Sequence, residues 1–153
     1  MSDAPTPALP PALSGLVDDF GAVGERERLQ LLLEISHGLP ALPERFAAAP
    51  ELLEPVPECQ APVAVLAEVD PDPASTVHLY FTAPREAPTT RGFAGILREG
   101  LDGLPAAQVL AVPDDLHTRF GLERAVSPLR LRGMEGLLRR LKRQVREKSG
   151  MAA

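Results

Sequence analysis

The apolar positions near the start of the chain follow a helical period. Residues 11–20 place three apolar side chains on one side, which predicts a first helix. Residues 25–37 predict a second, stronger helix, which Gly38 and Pro40 should end. Its apolar side chains should form one wide face: Leu29, Leu31, Leu32, Leu33 and Ile35.

A proline-rich stretch follows the second helix. Residues 39–60 contain five prolines and no long periodic run, which predicts a long loop with a helical turn near Phe46. A short edge strand fits residues 53–56, although the neighbouring prolines limit its length. Long loops inside compact domains commonly carry function. Cys59 lies at the end of this one.

Two segments rich in β-branched and aromatic residues come next. Residues 63–69 and 76–82 predict two strands, and the residues between them are nearly all turn formers. The pair should therefore form an antiparallel hairpin with a long turn.

The rest of the chain is predicted to be helical. Thr89 or Thr90 is a candidate cap for a helix that carries three large apolar side chains. A short helix should span residues 105–110. Asp114 or Asp115 should cap a further segment that ends near a glycine.

The last helix should begin at Ser127, with serine as its cap and proline in its first turn, and end near residue 148. Its buried stripe should contain Met134, Leu137, Leu138, Leu141 and Val145. Helices, a small antiparallel sheet and more helices predict an α+β domain. We expect one domain over residues 11–150, preceded by a disordered leader, residues 1–10.

Charge is distributed unevenly over the 153 residues. The net charge is −5, yet residues 130–153 carry eight basic and two acidic side chains, a net of +6. The remaining residues therefore carry −11. This basic end is either a solvated helix face or a surface for an acidic partner.

Composition excludes several classes of protein. The single cysteine rules out an internal disulfide and a cysteine-rich metal site, and no His/Asp/Glu cluster has metal-ligand spacing. No signal peptide or membrane-spanning stretch is present, so we expect a cytoplasmic protein that contacts no membrane. The acidic body and scarce aromatics disfavour nucleic-acid binding.

Cys59 is the candidate for chemistry. Most free cysteines are buried and inert, but Cys59 lies in a loop between the polar residues Glu58 and Gln60. A thiolate here could exchange with a persulfide. The three histidines are scattered along the chain and give no support to a Cys–His relay.

Three segments, in order, resemble the SufE family of sulfur-acceptor proteins. They are Leu-Pro-Ala-Leu-Pro at residues 39–43, Val-Pro-Glu-Cys-Gln-Ala-Pro-Val at residues 56–63, and Ser-Pro-Leu-Arg-Leu-Arg-Gly-Met at residues 127–134. Arg91 stands where the family has a basic residue before glycine. The resemblance covers roughly residues 12–148.

This resemblance implies a fold and a function. The fold is SufE/IscU-like, a small antiparallel sheet packed with helices. Cys59 would accept sulfur from a PLP-dependent cysteine desulfurase (SufS-like), stimulate that enzyme, and pass the sulfur to an iron–sulfur scaffold complex (SufBCD-like). PLP would reside on the desulfurase, so this chain would need no cofactor of its own. Gln60, Arg91 and Arg130 would support Cys59.

One departure from the family bears on Cys59. Glu58 replaces the glycine that usually precedes the acceptor cysteine. If this position has a positive φ, Glu58 is strained, and its carboxylate should in any case raise the pKa of the thiol. An inert adaptor with a structural cysteine is therefore an alternative. A one-cysteine thiol peroxidase is a weaker alternative, because threonine is missing three residues before Cys59.

Overall fold

A computed structural model describes residues 9–151, so residues 1–8 of the expected leader lie outside the described part of the chain. Three strands and six α-helices occur within that range. The strands are β1 (Glu54–Pro55), β2 (Ala64–Val69) and β3 (Val77–Thr82). The helices are α1 (Pro11–Gly21), α2 (Glu25–His37), α3 (Glu44–Ala47), α4 (Pro88–Leu101), α5 (Ala106–Leu110) and α6 (Pro128–Ser149). Short 3₁₀ turns cover Pro50–Leu52, Pro57–Cys59 and Leu116–Phe120.

The sheet is antiparallel, in the order β1-β2-β3. Strands β2 and β3 form the predicted hairpin, with Val65 opposite Phe81 and Val69 opposite Val77. Asp72 stabilises the turn, because its two carboxylate oxygens accept hydrogen bonds from the amide and the hydroxyl of Thr76, both at 2.8 Å. The small sheet with helices confirms the α+β prediction.

Helix α4 is the centre of the helical layer, and glycines allow its neighbours to approach closely. A Cβ atom at Gly92 would lie 2.6 Å from the carbonyl oxygen of Leu32, on α2. A Cβ at Gly100 would lie 2.8 Å from the Leu13 side chain, on α1. Because these residues lack side chains, the backbones of α1 and α2 pack directly on α4.

The prediction of a wide apolar face on α2 is wrong in part. Leu32 is buried, but Leu29 and Leu33 are 39% and 42% exposed. Helix α2 contacts α4 through a narrow ridge that meets Gly92 and Gly95. Such close backbone packing leaves the flanking leucines outside the contact.

Two predicted caps are also wrong. Helix α4 begins at Pro88 after Ala87, and no side chain caps it; Thr90 is buried within the helix. Asp115 occupies the cap position of the Leu116–Phe120 turn, but its side chain accepts no capping hydrogen bond. By contrast, Ser127 caps α6 as predicted and accepts a hydrogen bond from the amide of Arg130 at 3.3 Å.

Helix α6 closes the domain, and its predicted apolar stripe is confirmed. The stripe residues are all at most 1% exposed: Met134, Leu137, Leu138, Leu141 and Val145. The remaining face is not simply solvated. Lys142 is only 7% exposed; its Nζ donates to the carbonyl of Val112 at 2.7 Å and to Asp114 at 2.8 Å. Two arginines of the same helix form ion pairs with glutamates that precede Cys59 in the chain.

None of the helices within residues 9–151 combines the length and the apolar character needed to cross a bilayer.

Candidate functional site

Cys59 ends a 3₁₀ turn in the loop that joins β1 to β2. The turn begins at Pro57, whose fixed φ suits a first helical position. The amide of Cys59 donates to the carbonyl of Val56 at 3.1 Å, and that of Gln60 donates to Pro57 at 3.0 Å. Backbone hydrogen bonds thus give the loop a defined shape, and we call residues 57–61 the Cys59 loop.

Gln60 reverses the chain direction at the end of the turn. It has φ 54° and ψ 26°, in the left-handed region that non-glycine residues rarely occupy. Glu58 does not have a positive φ. The strain expected at Glu58 is therefore absent there, and the unusual backbone conformation lies on the other side of the cysteine.

Two glycines of α6 form the surface on which the Cys59 loop rests. The Cys59 thiol donates to the carbonyl of Gly133, with 3.4 Å between sulfur and oxygen. A Cβ atom at Gly133 would lie 3.0 Å from the Cα of Cys59, and one at Gly136 would lie 2.5 Å from a Glu58 oxygen. Glycines three residues apart share a helix face, so they open one shallow channel for the loop.

Arg140 lies one turn beyond Gly136 and binds the carboxylate of Glu58. Its Nε donates to one oxygen at 3.1 Å and its Nη2 to the other at 2.5 Å. Its Nη1 donates to Glu54 at 2.8 Å. The pKa of Glu58 is lowered, chiefly by the hydrogen bonds from Arg140, against the opposing effect of burial.

Glu54 connects this cluster to the sheet. Arg143 also forms an ion pair with Glu54, and the side-chain amide of Gln144 donates to it at 3.1 Å. The Gln144 oxygen accepts from the amide of Ala67 in β2 at 2.8 Å. Burial would raise the pKa of Glu54, but these hydrogen bonds outweigh it and lower the pKa. Arg140 and Arg143 of α6 are therefore both paired with carboxylates close to the Cys59 loop.

The environment of Cys59 disfavours the thiolate. Burial raises the pKa of the thiol to about 11, and the charge of Glu58 adds to the increase; Arg140 opposes it. With such a pKa, roughly one thiol in ten thousand is ionised at pH 7. The sequence prediction that Glu58 raises the pKa holds, but burial has the larger effect.

A cleft of about 240 Å³ is lined by Cys59. Arg130 lines this cleft, as does Leu129, which is 43% exposed. The Arg130 guanidinium is exposed and donates to the Thr89 hydroxyl at 3.1 Å. The remaining lining residues are Gln60, Ala61, Glu86, Ala87 and Ser127. The cleft therefore brings together Cys59, Gln60 and Arg130.

Arg91 lies elsewhere. It donates to three backbone carbonyls: Ser36 at 2.8 Å, Ala83 at 2.6 Å and Leu39 at 3.3 Å. Arg91 does not line the Cys59 cleft. Its contacts join α2, the loop that follows α2 and the end of β3, so Arg91 stabilises the fold.

Arg140, Glu54 and Gly136 also belong to the site, although no local sequence pattern predicts them there. Arg140 and Glu58 are 82 residues apart along the chain, so local patterns could not pair them. One clue existed: Gly133, Gly136 and Arg140 share a helix face at spacings of three and four residues. No group of three or more acidic, histidine or cysteine side chains within residues 9–151 is arranged to hold a metal ion.

The chain is similar to known proteins in sequence and in fold. The model of the SufE family, described as an Fe-S metabolism associated domain, matches residues 14–145. An uncharacterized SufE-like protein of Mycobacterium tuberculosis is 51% identical over 140 residues, which cover 92% of this chain and 95% of that protein.

Two further proteins are similar. SufE-like protein 1, chloroplastic/mitochondrial, of Arabidopsis thaliana is 26% identical over 141 residues, which cover 92% of this chain and 36% of the plant protein. The solution structure of a hypothetical protein from Thermus thermophilus aligns with a TM-score of 0.80 at 41% identity, over 94% of this chain and 100% of that one. The chain therefore belongs to the SufE family, which associates it with iron–sulfur metabolism and its assembly machinery.

Proposed function

We propose that this protein carries sulfur for iron–sulfur cluster assembly, with Cys59 as the acceptor. Cys59, the single cysteine, lines an open cleft together with Arg130, in a loop outside the sheet, and this placement carries the proposal. Loops on a rigid scaffold are where reactive residues are usually presented.

The donor is a PLP-dependent cysteine desulfurase that carries a persulfide on its own cysteine. Cys59 loses its proton and attacks the outer sulfur of that persulfide. The donor's S–S bond breaks as a new S–S bond forms on Cys59. The donor cysteine leaves as a thiolate and takes up the proton. One thiol and one persulfide are consumed and one of each is produced, so the step needs no oxidant or reductant.

Arg130 and Gln60 are the supporting residues of this step. The guanidinium of Arg130 is the cation of the cleft, and a positive charge near sulfur favours its anionic form. Accepting sulfur would also stimulate the desulfurase, because it frees the donor cysteine for another turnover. The loaded protein then passes its sulfur to a scaffold complex, in the cytoplasm.

Intact mass spectrometry tests the proposal. The protein, a cysteine desulfurase and free cysteine are mixed, beside a Cys59→Ser control. We expect the wild type alone to gain the mass of one sulfur atom, which a reductant removes. Desulfurase turnover, followed as alanine release, should rise with the wild type and not with Cys59→Ser.

The raised pKa of the thiol favours one competing function, an inert adaptor in which Cys59 is structural. The same experiment separates the two. If neither protein gains sulfur while the desulfurase is active, the carrier proposal fails. Stimulation of the desulfurase by Cys59→Ser to the wild-type level would then establish the adaptor.

A further inference from the structure

One guanidinium fastens the Cys59 loop to helix α6. All three side-chain nitrogens of Arg140 are engaged, two by Glu58 and one by Glu54. Glu54 belongs to β1, and Glu58 is the residue before the cysteine. Arg140 thus holds both strand β1, which precedes the loop, and the residue next to the sulfur. A bidentate arginine–carboxylate pair also fixes orientation, which a single hydrogen bond does not.

The other side-chain attachment of the loop to α6 is weak. It is the hydrogen bond from the thiol of Cys59 to the carbonyl of Gly133, with 3.4 Å between sulfur and oxygen. Sulfhydryl groups are poor donors. Within the described residues, the Glu58–Arg140 pair is therefore the main polar contact that keeps the loop in its channel.

The pair is also accessible. The side chains of Arg140 and Glu58 are 29% and 38% exposed, and both line a cavity of about 270 Å³. This cavity lies on α6, where Gly136, Arg139, Arg143 and Arg146 complete its lining. Because the large apolar side chains of the core take no part in that lining, the pair has room to separate without disturbing the packed interior.

The bound loop holds the sulfur of Cys59 against α6. The sulfur is partly buried and directed at a backbone carbonyl, whereas a persulfide on another protein must reach it from outside. We propose that Arg140 is a positioning residue that latches the Cys59 loop to α6 through Glu58, and that Cys59 accepts sulfur only after this pair opens. The second half of the proposal rests on the proposed function; the latch itself does not.

Hydrogen exchange of the whole protein, resolved to the peptide over residues 56–62, measures the latch. The amides of Cys59 and Gln60 donate to carbonyls within the same turn, and the turn rests on α6, so their exchange should speed up when that support is lost. We expect Arg140→Gln and Glu58→Gln each to speed their exchange about tenfold. The double variant should be no faster than Arg140→Gln alone, because that substitution already removes the pair with Glu58.

Two variants control this measurement. Arg139→Gln removes the neighbouring arginine of the same cavity, whose ion pair is with Glu135 within the helix, and should leave the loop unchanged. Arg140→Lys keeps the charge but not the bidentate geometry, and should give intermediate exchange. If Arg140→Gln does not fold, Glu58→Gln and Arg140→Lys carry the test.

Loop exchange within about twofold of wild type in Arg140→Gln or in Glu58→Gln would overturn the latch, as would full additivity in the double variant. The sulfur-transfer half is tested separately, by the rate at which a persulfide-loaded desulfurase loads each variant. Glu58→Gln should load several-fold faster than wild type, and an equal or slower rate would overturn that half. A wild type that takes up no sulfur would instead contradict the proposed function, while the exchange result would still decide the latch.

Discussion

The carbonyl oxygen of Gly133 lies 3.4 Å from the sulfur of Cys59, and the missing side chain at Gly133 makes that approach possible. The contact explains a feature of the sequence that periodicity alone does not. Helix α6 has good helix-forming residues elsewhere, yet it keeps glycines at two interior positions, Gly133 and Gly136. Each costs roughly 1 kcal/mol relative to alanine, and each is covered by the Cys59 loop.

Gly133→Ala should therefore destabilise the protein despite alanine's higher helix propensity. Its Cβ would lie 3.0 Å from the Cα of Cys59 and 3.2 Å from the sulfur. The loop must shift, and we expect a loss of about 1–3 kcal/mol in the free energy of unfolding by urea. Gly15→Ala on α1 is the matched control, because nothing lies within 4 Å of its Cβ. It should gain up to about 1 kcal/mol. A Gly133→Ala protein as stable as wild type would contradict the close contact.

The alkylation rate of Cys59 should depend on pH in a characteristic way. The thiolate is the nucleophile, and burial together with Glu58 raises the pKa of the thiol to about 11 from an ordinary value of 9.0. The rate of iodoacetamide labelling should therefore keep rising above about pH 9 and level off only near pH 11. A plateau near the ordinary pKa would show that the thiol is unperturbed.

Glu58→Gln should move this profile to lower pH. It removes a negative charge beside the thiol, which makes the thiolate easier to form. Glu135→Gln, which removes a carboxylate paired with Arg139 on the same helix, is the control and should leave the profile in place. Equal profiles in Glu58→Gln and wild type would exclude an electrostatic role for Glu58.

The two arginines singled out from sequence should behave in opposite ways. Arg91→Met leaves three backbone carbonyls without their charged donor, so we expect a loss of about 2–4 kcal/mol in unfolding free energy. Arg130→Met removes an exposed side chain that donates to Thr89, and should stay within about 0.5 kcal/mol of wild type.

The rate of sulfur loading should show the opposite pattern, with the larger effect in Arg130→Met. Arg130→Met should slow the loading of Cys59 several-fold, because the cleft loses its cation. Arg91→Met, measured well below its unfolding temperature, should load at the wild-type rate. If loading depends on Arg91 and not on Arg130, the assignment of the cleft as the site of transfer is wrong.

The sequence was informative where a local pattern decides the structure. Helix α2 spans the predicted residues 25–37, and the hairpin and the Ser127 cap also follow from local residue preferences. Leu29 and Leu33 show the limit of such patterns. Periodicity identifies an apolar face, but the width of that face that becomes buried depends on the partner helix, here the glycines of α4.

The candidate site is likewise only partly predictable from the sequence. Cys59 could be selected because it is the single thiol and lies in a proline-rich loop. The role of Arg140 depends on contacts to residues 82 and 86 positions away, and no spacing rule reaches so far. The sequence indicates that the basic face of α6 is either solvated or a partner surface, whereas two of its arginines, Arg140 and Arg143, bind carboxylates in the chain that precedes β2.

Gln60 should be replaceable by glycine but not by a β-branched residue. Its φ of 54° lies in the left-handed region, where glycine is unstrained and valine is strongly disfavoured. Unfolding by urea should show Gln60→Gly within about 0.5 kcal/mol of wild type, since glycine's greater freedom in the unfolded chain offsets its gain. Gln60→Val should lose about 1–3 kcal/mol. Equal stability of the two variants would mean that the loop adopts another backbone conformation in solution.

Lys142 should contribute to the stability of the fold rather than to the charge of the protein surface. Its side chain is 9% exposed and joins α6 to the segment after α5 through Val112 and Asp114. Lys142→Met fills the same space but leaves the Val112 carbonyl without its donor, so we expect a loss of about 1–3 kcal/mol in unfolding free energy. Asp114→Asn should lose less than about 1 kcal/mol, because Asp114 is 73% exposed and stays solvated.

Arg139→Gln, one turn away on the exposed face, should change stability by less than about 0.5 kcal/mol. The three variants together separate the burial of Lys142 from its charge. If Lys142→Met matched Arg139→Gln, the ammonium group would be solvated in solution and the hydrogen bond to Val112 would be absent. A large loss in Asp114→Asn, equal to that of Lys142→Met, would instead show that the ion pair and not the carbonyl contact holds α6 to this segment.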